Sequence, residues 1–163
     1  VSEYNIDVKN IFLELIKNDI FIASAVSSFV AQFLKVFLMK RGEPLDWSFF
    51  FSSGGNPSSH TSTVTTLTLL LGVRYGFNSQ YFTIAIVFGT IVIIDALSVR
   101  REVGEHSKTL NEIFTDTDLG KRLKEIMDIK LFKELIGHTG IEVFFGFLIG
   151  IAIAALDLLL IKH

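Results

Sequence analysis

The 163-residue sequence contains no cysteine, so disulfides and thiolate metal sites are excluded, while the compartment stays open on that count. An excess of either charge is missing too. The formal net charge is -2, which leaves no electrostatic footprint for nucleic acid. No internal repeat and no low-complexity tract is present. The first ten residues are polar and acidic, unlike a cleaved secretory signal. The length fits one domain, 1–163. Charge is also lacking over long internal stretches, and that absence is the informative one.

What fills those stretches is apolar. Half the residues are hydrophobic, sixteen are Phe, and the mean hydropathy is +0.50, high for a soluble domain. Residues 20–38 carry one charge, Lys35, and at 1.5 Å per residue would extend roughly 28 Å, close to the thickness of bilayer hydrocarbon. Lys35 lies within a turn of the end, where its head could snorkel to the interface. A second span is expected near 58–76. It is rich in Thr, whose hydroxyl can return to the helix backbone, so this helix should face protein rather than lipid. A third, near 81–99, is apolar except for Asp95, which needs a partner or water. A fourth, near 140–161, contains Gly146 and Gly150 at a spacing that lets another helix approach closely. Residues 1–18 read as an amphipathic helix at the membrane surface, with Ile11, Leu15 and Ile16 on its apolar side. The polar segment 100–137 interrupts the apolar pattern. Its second half, from Leu119 to Leu135, reads as an amphipathic helix capped near 116–120. The expectation is an all-α integral membrane bundle of about four transmembrane helices with amphipathic interfacial helices.

Four spans place the loops alternately on two faces. Lys35, Arg41, Ser58, Ser59, His60, Arg100, Arg101, His138 and Glu142 then converge at one end. The stretch GGNPSSHTSTVT, residues 54–65, starts the second span with free backbone N–H groups and two hydroxyls, a natural anion site. An ordinary capped helix explains the serines alone, and a lone histidine near a glycine is usually structural. Positive-inside topology explains gathered cations, but it does not gather histidines. Outside the spans, with Arg74 counted from the edge of the second, this face holds ten Lys and Arg against four on the other, which predicts a cytoplasmic orientation, in the plasma membrane of a bacterium.

Such a set suits phosphoryl transfer. That chemistry needs cations and N–H donors around the phosphoryl oxygens, with a nucleophile and a leaving oxygen in line. A neutral histidine can be the nucleophile, and a protonated one can donate to the leaving oxygen. His138 and Glu142 are four apart, so the carboxylate could hold one ring nitrogen while the other faces phosphorus. No cofactor and no metal is required.

The segments LDWSFFFSSGGNPSSHT, DALSVRREVGE with the later LN, and FKELIGHTGIEVFFG resemble the divergent branch of the type-two phosphatidic acid phosphatase superfamily, relatives of vanadium haloperoxidases. The resemblance covers nearly all of residues 20–155. It implies a shortened acid phosphatase/haloperoxidase-like core, in which Lys35 and Arg41 match the first motif, one residue short and with no proline after. Pro57, Ser58, Ser59 and His60 match the second, with Ser59 in place of glycine and His60 as general acid. The third motif is split: Arg100 ends one span, and His138 with Glu142 begins the next. A rival placement pairs Arg100 with His106 at the parent spacing, but Leu110 then stands where the acid belongs. His138 keeps the acid, with Phe132 where the arginine belongs. The carboxylate favours His138.

The resemblance implies a metal-independent phosphatase that hydrolyses a lipid phosphomonoester or diphosphate through a phosphohistidine. His138, His60 and Glu142 would be catalytic; Lys35, Arg41, Ser58, Ser59, Arg100 and Arg101 would bind phosphate. The parent has six helices, so a four-helix chain leaves its site open or pairs with a second copy. The alternative is a non-catalytic membrane protein binding an anionic lipid head group, as a carrier or a regulatory or assembly subunit.

Overall fold

The computed structural model describes residues 8–38, 50–51, 54–134 and 136–160. Among them every regular element is helical: α1 (Val8–Leu15), α2 (Asp19–Leu38), α3 (Ser59–Tyr75), α4 (Gln80–Leu97), α5 (Val99–Asp116), α6 (Asp118–Met127) and α7 (Gly140–Leu160). Helix starts follow from local chemistry. Asn18 Oδ1 accepts from the Phe21 amide, Ser58 Oγ from Thr61 and Ser79 Oγ from Phe82, each satisfying a first-turn N–H that the helix leaves without a partner.

Helix α3 is the axis. It packs against α2, α4 and α7, and α2 also meets α7. Its buried face is made of hydroxyls. Thr66 Oγ1 lies within hydrogen-bond reach of Ser62 O, of Ser27 Oγ of α2 and of Gly150 O of α7, and the Ser27 and Ser62 hydroxyls hydrogen-bond to each other. Thr-rich composition thus marks a protein-facing helix, because Ser62 and Thr66 find partners in α2 and α7 that lipid would not supply. The close approach is set by α7. A Cβ on Gly150 would sit 2.6 Å from Thr65 Cβ and 2.7 Å from Ser62 O, and one on Gly146 would collide with Ser58 O. The glycine pair therefore serves contact with α3.

The outer surface is inverted relative to a water-soluble bundle. Phe29, Ile84, Ile91, Ile141 and Leu159 are all more than 60% exposed. Large side chains facing outward on every side of the bundle belong in hydrocarbon. Among the described residues three helices are long and apolar enough to cross a membrane: α2, the α4 portion of a rod running through Asp116, and α7. Helix α3, expected as a fourth span, has 17 residues and too many hydroxyls to qualify alone, and its neighbours enclose it.

Three expectations are revised. Lys35 does not snorkel: its side chain is fully buried, turned into the bundle rather than along its surface. The polar segment has two helices, not one, since α5 occupies its first half. The second-half helix begins at its Thr117 cap, whose hydroxyl accepts from Gly120, and ends at Met127, where Asp128 takes a left-handed conformation. Phe132 therefore lies on an extended return, not on the helix. That return runs back along α5, held by paired hydrogen bonds between the Asn111 side chain and the Phe132 backbone at 2.9 Å. The segment expected as an interfacial helix contains α1, from Val8; its first seven residues, like Arg41, lie outside the described residues.

Candidate active site

The return segment delivers a histidine. Gly137 has φ +87, and a Cβ there would lie 2.6 Å from Arg101 Cα, so only glycine lets the chain pass the start of α5 this closely. The next residue donates its amide to Ala96 O of α4 at 2.9 Å. That bond fixes His138 between the end of α4 and the start of α7, with its ring buried.

The loop before α3 delivers the other. Ser58, fully buried, donates its amide to Glu142 O at 3.0 Å, tying the start of α3 to the first turn of α7. His60 follows in the first turn of α3. The two imidazoles meet edge to face with ring centroids 6.0 Å apart.

Each ring has one nitrogen held by a charged partner. His138 Nδ1 lies 3.0 Å from Glu142 Oε2, which also accepts from the Thr139 amide at 3.1 Å. His60 Nε2 lies 3.3 Å from Arg100 Nη1. The remaining nitrogens, His138 Nε2 and His60 Nδ1, are buried with no hydrogen-bond partner among the described residues. Partner chemistry assigns the protons. A carboxylate accepts, so His138 Nδ1 carries hydrogen, and in the neutral ring Nε2 carries the lone pair. A guanidinium only donates, so His60 Nε2 accepts and Nδ1 carries hydrogen. One nucleophilic nitrogen and one N–H donor are thus both left unsatisfied.

Cations border this pair. Lys35 is close enough to act electrostatically on His60 and Glu142. Arg100 is half-exposed and also bonds Asp95 Oδ2 through Nε at 2.6 Å. The N-terminus of α3, with Ser58 and Ser59 both buried, points its amides to the same end. Arg101 is exposed, with its backbone lying under Gly137, and His106 is exposed on α5. Asp95 and Gly137 are parts of the arrangement that motif reading missed. Asp95 carried a signal, being a lone carboxylate in the last turn of an apolar helix just before an arginine.

These observations define a helical membrane protein with a two-histidine, cation-bordered cluster at one end of its bundle. A family model described as the divergent PAP2 family matches residues 16–153, and the chain belongs to that family. A Bacillus subtilis (strain 168) protein described as the uncharacterized membrane protein YuiD is 37% identical over 150 residues, which are 85% of this chain and 93% of that protein. No solved structure matches.

Proposed function

We propose that this chain is a lipid phosphate phosphatase. The observation that carries the reading is the complementary pair of unsatisfied ring nitrogens: a lone pair on His138 Nε2 beside an imidazole that can deliver a proton from His60. In the proposed reaction His138 Nε2 attacks phosphorus as the bond from phosphorus to the lipid oxygen breaks. The leaving oxygen takes a proton from His60. Water, deprotonated by His60, then attacks the phosphohistidine. Phosphate leaves and the His138 lone pair is restored. Glu142 keeps the His138 proton on Nδ1 throughout. Lys35, Arg41, Arg100, Arg101, Ser58 and Ser59 would neutralise and hold the phosphoryl oxygens. The family match supports the class of chemistry.

The excess of Lys and Arg on the site end supports a cytoplasmic orientation in a bacterial plasma membrane, with substrates of the inner leaflet such as phosphatidate or phosphatidylglycerol phosphate. A second copy could complete the short bundle. The test is phosphate release by detergent-solubilised protein from phosphatidate, phosphatidylglycerol phosphate and a polyprenyl diphosphate, without added metal and with and without vanadate. Turnover that vanadate blocks and that His138→Ala lacks supports the reading. Vanadate binding without turnover assigns the chain instead to non-catalytic head-group binding. A membrane-impermeant thiol reagent applied to intact cells carrying Lys121→Cys tests the orientation, and labelling from outside overturns it.

A further inference from the structure

Asp95 opens the segment DALSVRREVGE and has no role among the candidate site residues, yet it holds the residue that contacts His60. Its Oδ2 accepts from Arg100 Nε at 2.6 Å while Arg100 Nη1 faces His60 Nε2 at 3.3 Å. Because a guanidinium has donors only, this contact exists only when His60 Nε2 is a lone pair and the ring is neutral. A neutral imidazole N–H is a poor acid, whereas protonating a leaving oxygen calls for imidazolium. The resting arrangement and the working one therefore differ by one proton and by the place of one guanidinium.

We propose that Asp95 is a positioning residue that keeps Arg100 latched on His60, and that a tetrahedral anion entering the site draws Arg100 away, so that His60 takes up a proton as the anion binds. The inference rests on the anion-binding part of the reading above. The Arg100 and Asp95 side chains are 39% and 37% exposed, so the guanidinium has room to swing its outer edge while Nε stays on Asp95. An anion oxygen offers Arg100 a charge-assisted hydrogen bond, stronger than the neutral ring nitrogen it gives up. The same negative charge, placed beside His60, favours imidazolium. The other charged and titratable groups around His60 are Lys35 from α2, Asp95 from α4, and His138 before α7, itself paired with Glu142. Lys35 and Arg100 oppose a second positive charge on His60, and the anion offsets both. The proton comes from solvent, and no covalent bond changes.

Titration calorimetry of the detergent-solubilised full chain with tungstate tests this. Tungstate is a tetrahedral dianion that does not itself titrate near neutrality. Heats measured near pH 7.5 in two buffers of different ionisation enthalpy give the protons taken up. Wild type is expected to take up close to ~1 proton per anion. His60→Gln should still bind with uptake lost, and Asp95→Asn should bind with uptake less than half that of wild type, because Arg100 then has no Nε anchor to swing on and the carboxylate that favours imidazolium at His60 is gone. Wild-type binding without uptake, or uptake that survives His60→Gln, overturns the latch. Asp95→Asn behaving as wild type overturns the role of Asp95. Failure of folded wild type to bind tungstate at all overturns the anion-site reading itself, and the latch with it.

Discussion

His60 and His138 face each other with ring centroids 6.0 Å apart, and their outer partners are of opposite charge: Arg100 on one ring, Glu142 on the other. Two chemically identical side chains are thereby given different hydrogen-bond partners. The carboxylate fixes the hydrogen of His138 on Nδ1, and the guanidinium fixes that of His60 on Nδ1.

The first prediction concerns roles. His138→Ala should abolish hydrolysis and the acid-labile phosphoenzyme together. His60→Ala should lower kcat by about 10²–10⁴-fold, the range a positioned acid–base group supplies. His106→Ala should stay near wild type, since that side chain is exposed. Rapid-quench labelling with a radioactive lipid phosphate reads all three. A dead His106 variant beside an active His138 variant would reverse the assignment.

The second concerns Glu142. Glu142→Gln keeps an oxygen able to accept from His138 Nδ1 but loses the charge that stabilises the ring as phosphorus bonds to it. The expected result is a fall in kcat of about 10²-fold with KM little changed, because the interaction gains strength only in the transition state. Steady-state kinetics decides. A rise in KM alone would make Glu142 a substrate-binding group instead.

The third concerns pH. Protonating His138 removes its lone pair, so activity falls on the acid side. Deprotonating His60 removes the acid, so activity also falls on the alkaline side, giving a bell. The residual activity of His60→Ala should lose the alkaline limb and keep the acid one. A profile unchanged in shape by that substitution would separate His60 from proton transfer.

The fourth concerns Gly137. Alanine there meets Arg101 backbone in a conformation that side chains disfavour, with a strain cost of about 1–3 kcal/mol before any displacement. Gly137→Ala should lower the unfolding midpoint in detergent. It should also weaken activity, because the His138 amide loses its register on Ala96. Gly140→Ala is the control, as a Cβ there meets nothing within 4 Å.

The fifth concerns the opposite end of the bundle. Arg74 of α3 is paired with Asp19 of α2 and Asp157 of α7, with Arg74 and Asp157 nearly buried. Arg74→Met leaves two carboxylates without their cation and should destabilise by about 3–5 kcal/mol. The surviving folded fraction should keep the wild-type KM, since this triad ties the same three helices that carry the site but touches none of its groups. Thermal unfolding and kinetics on one sample measure both.

Much of this molecule was readable from residue order. Charge-free stretches located α2, α4 and α7 to within a few residues. The serine–histidine stretch located the start of α3, and the threonines gave that helix an inward setting. The Gly146–Gly150 spacing anticipated a close neighbour without naming it. The path of residues 100–137 was not readable, because α5 is polar over most of its surface and is held by contacts with the return segment rather than by an apolar face. The buried setting of Lys35 was not readable for a related reason: hydropathy locates a lysine along a span but not around the helix axis.

Sequence by itself determined that the chain belongs in a bilayer, since so much apolar side chain with so few charges has no stable arrangement in water. It also determined that hydroxyls, imidazoles and cations fall at one end, because alternating spans leave little choice. Tertiary structure alone decided that Arg100, held by Asp95, takes His60, and that Gly137 sets His138 against α4. Those contacts depend on helix rotation and on close backbone approach, which are fixed by packing between segments and leave no periodic trace along the chain.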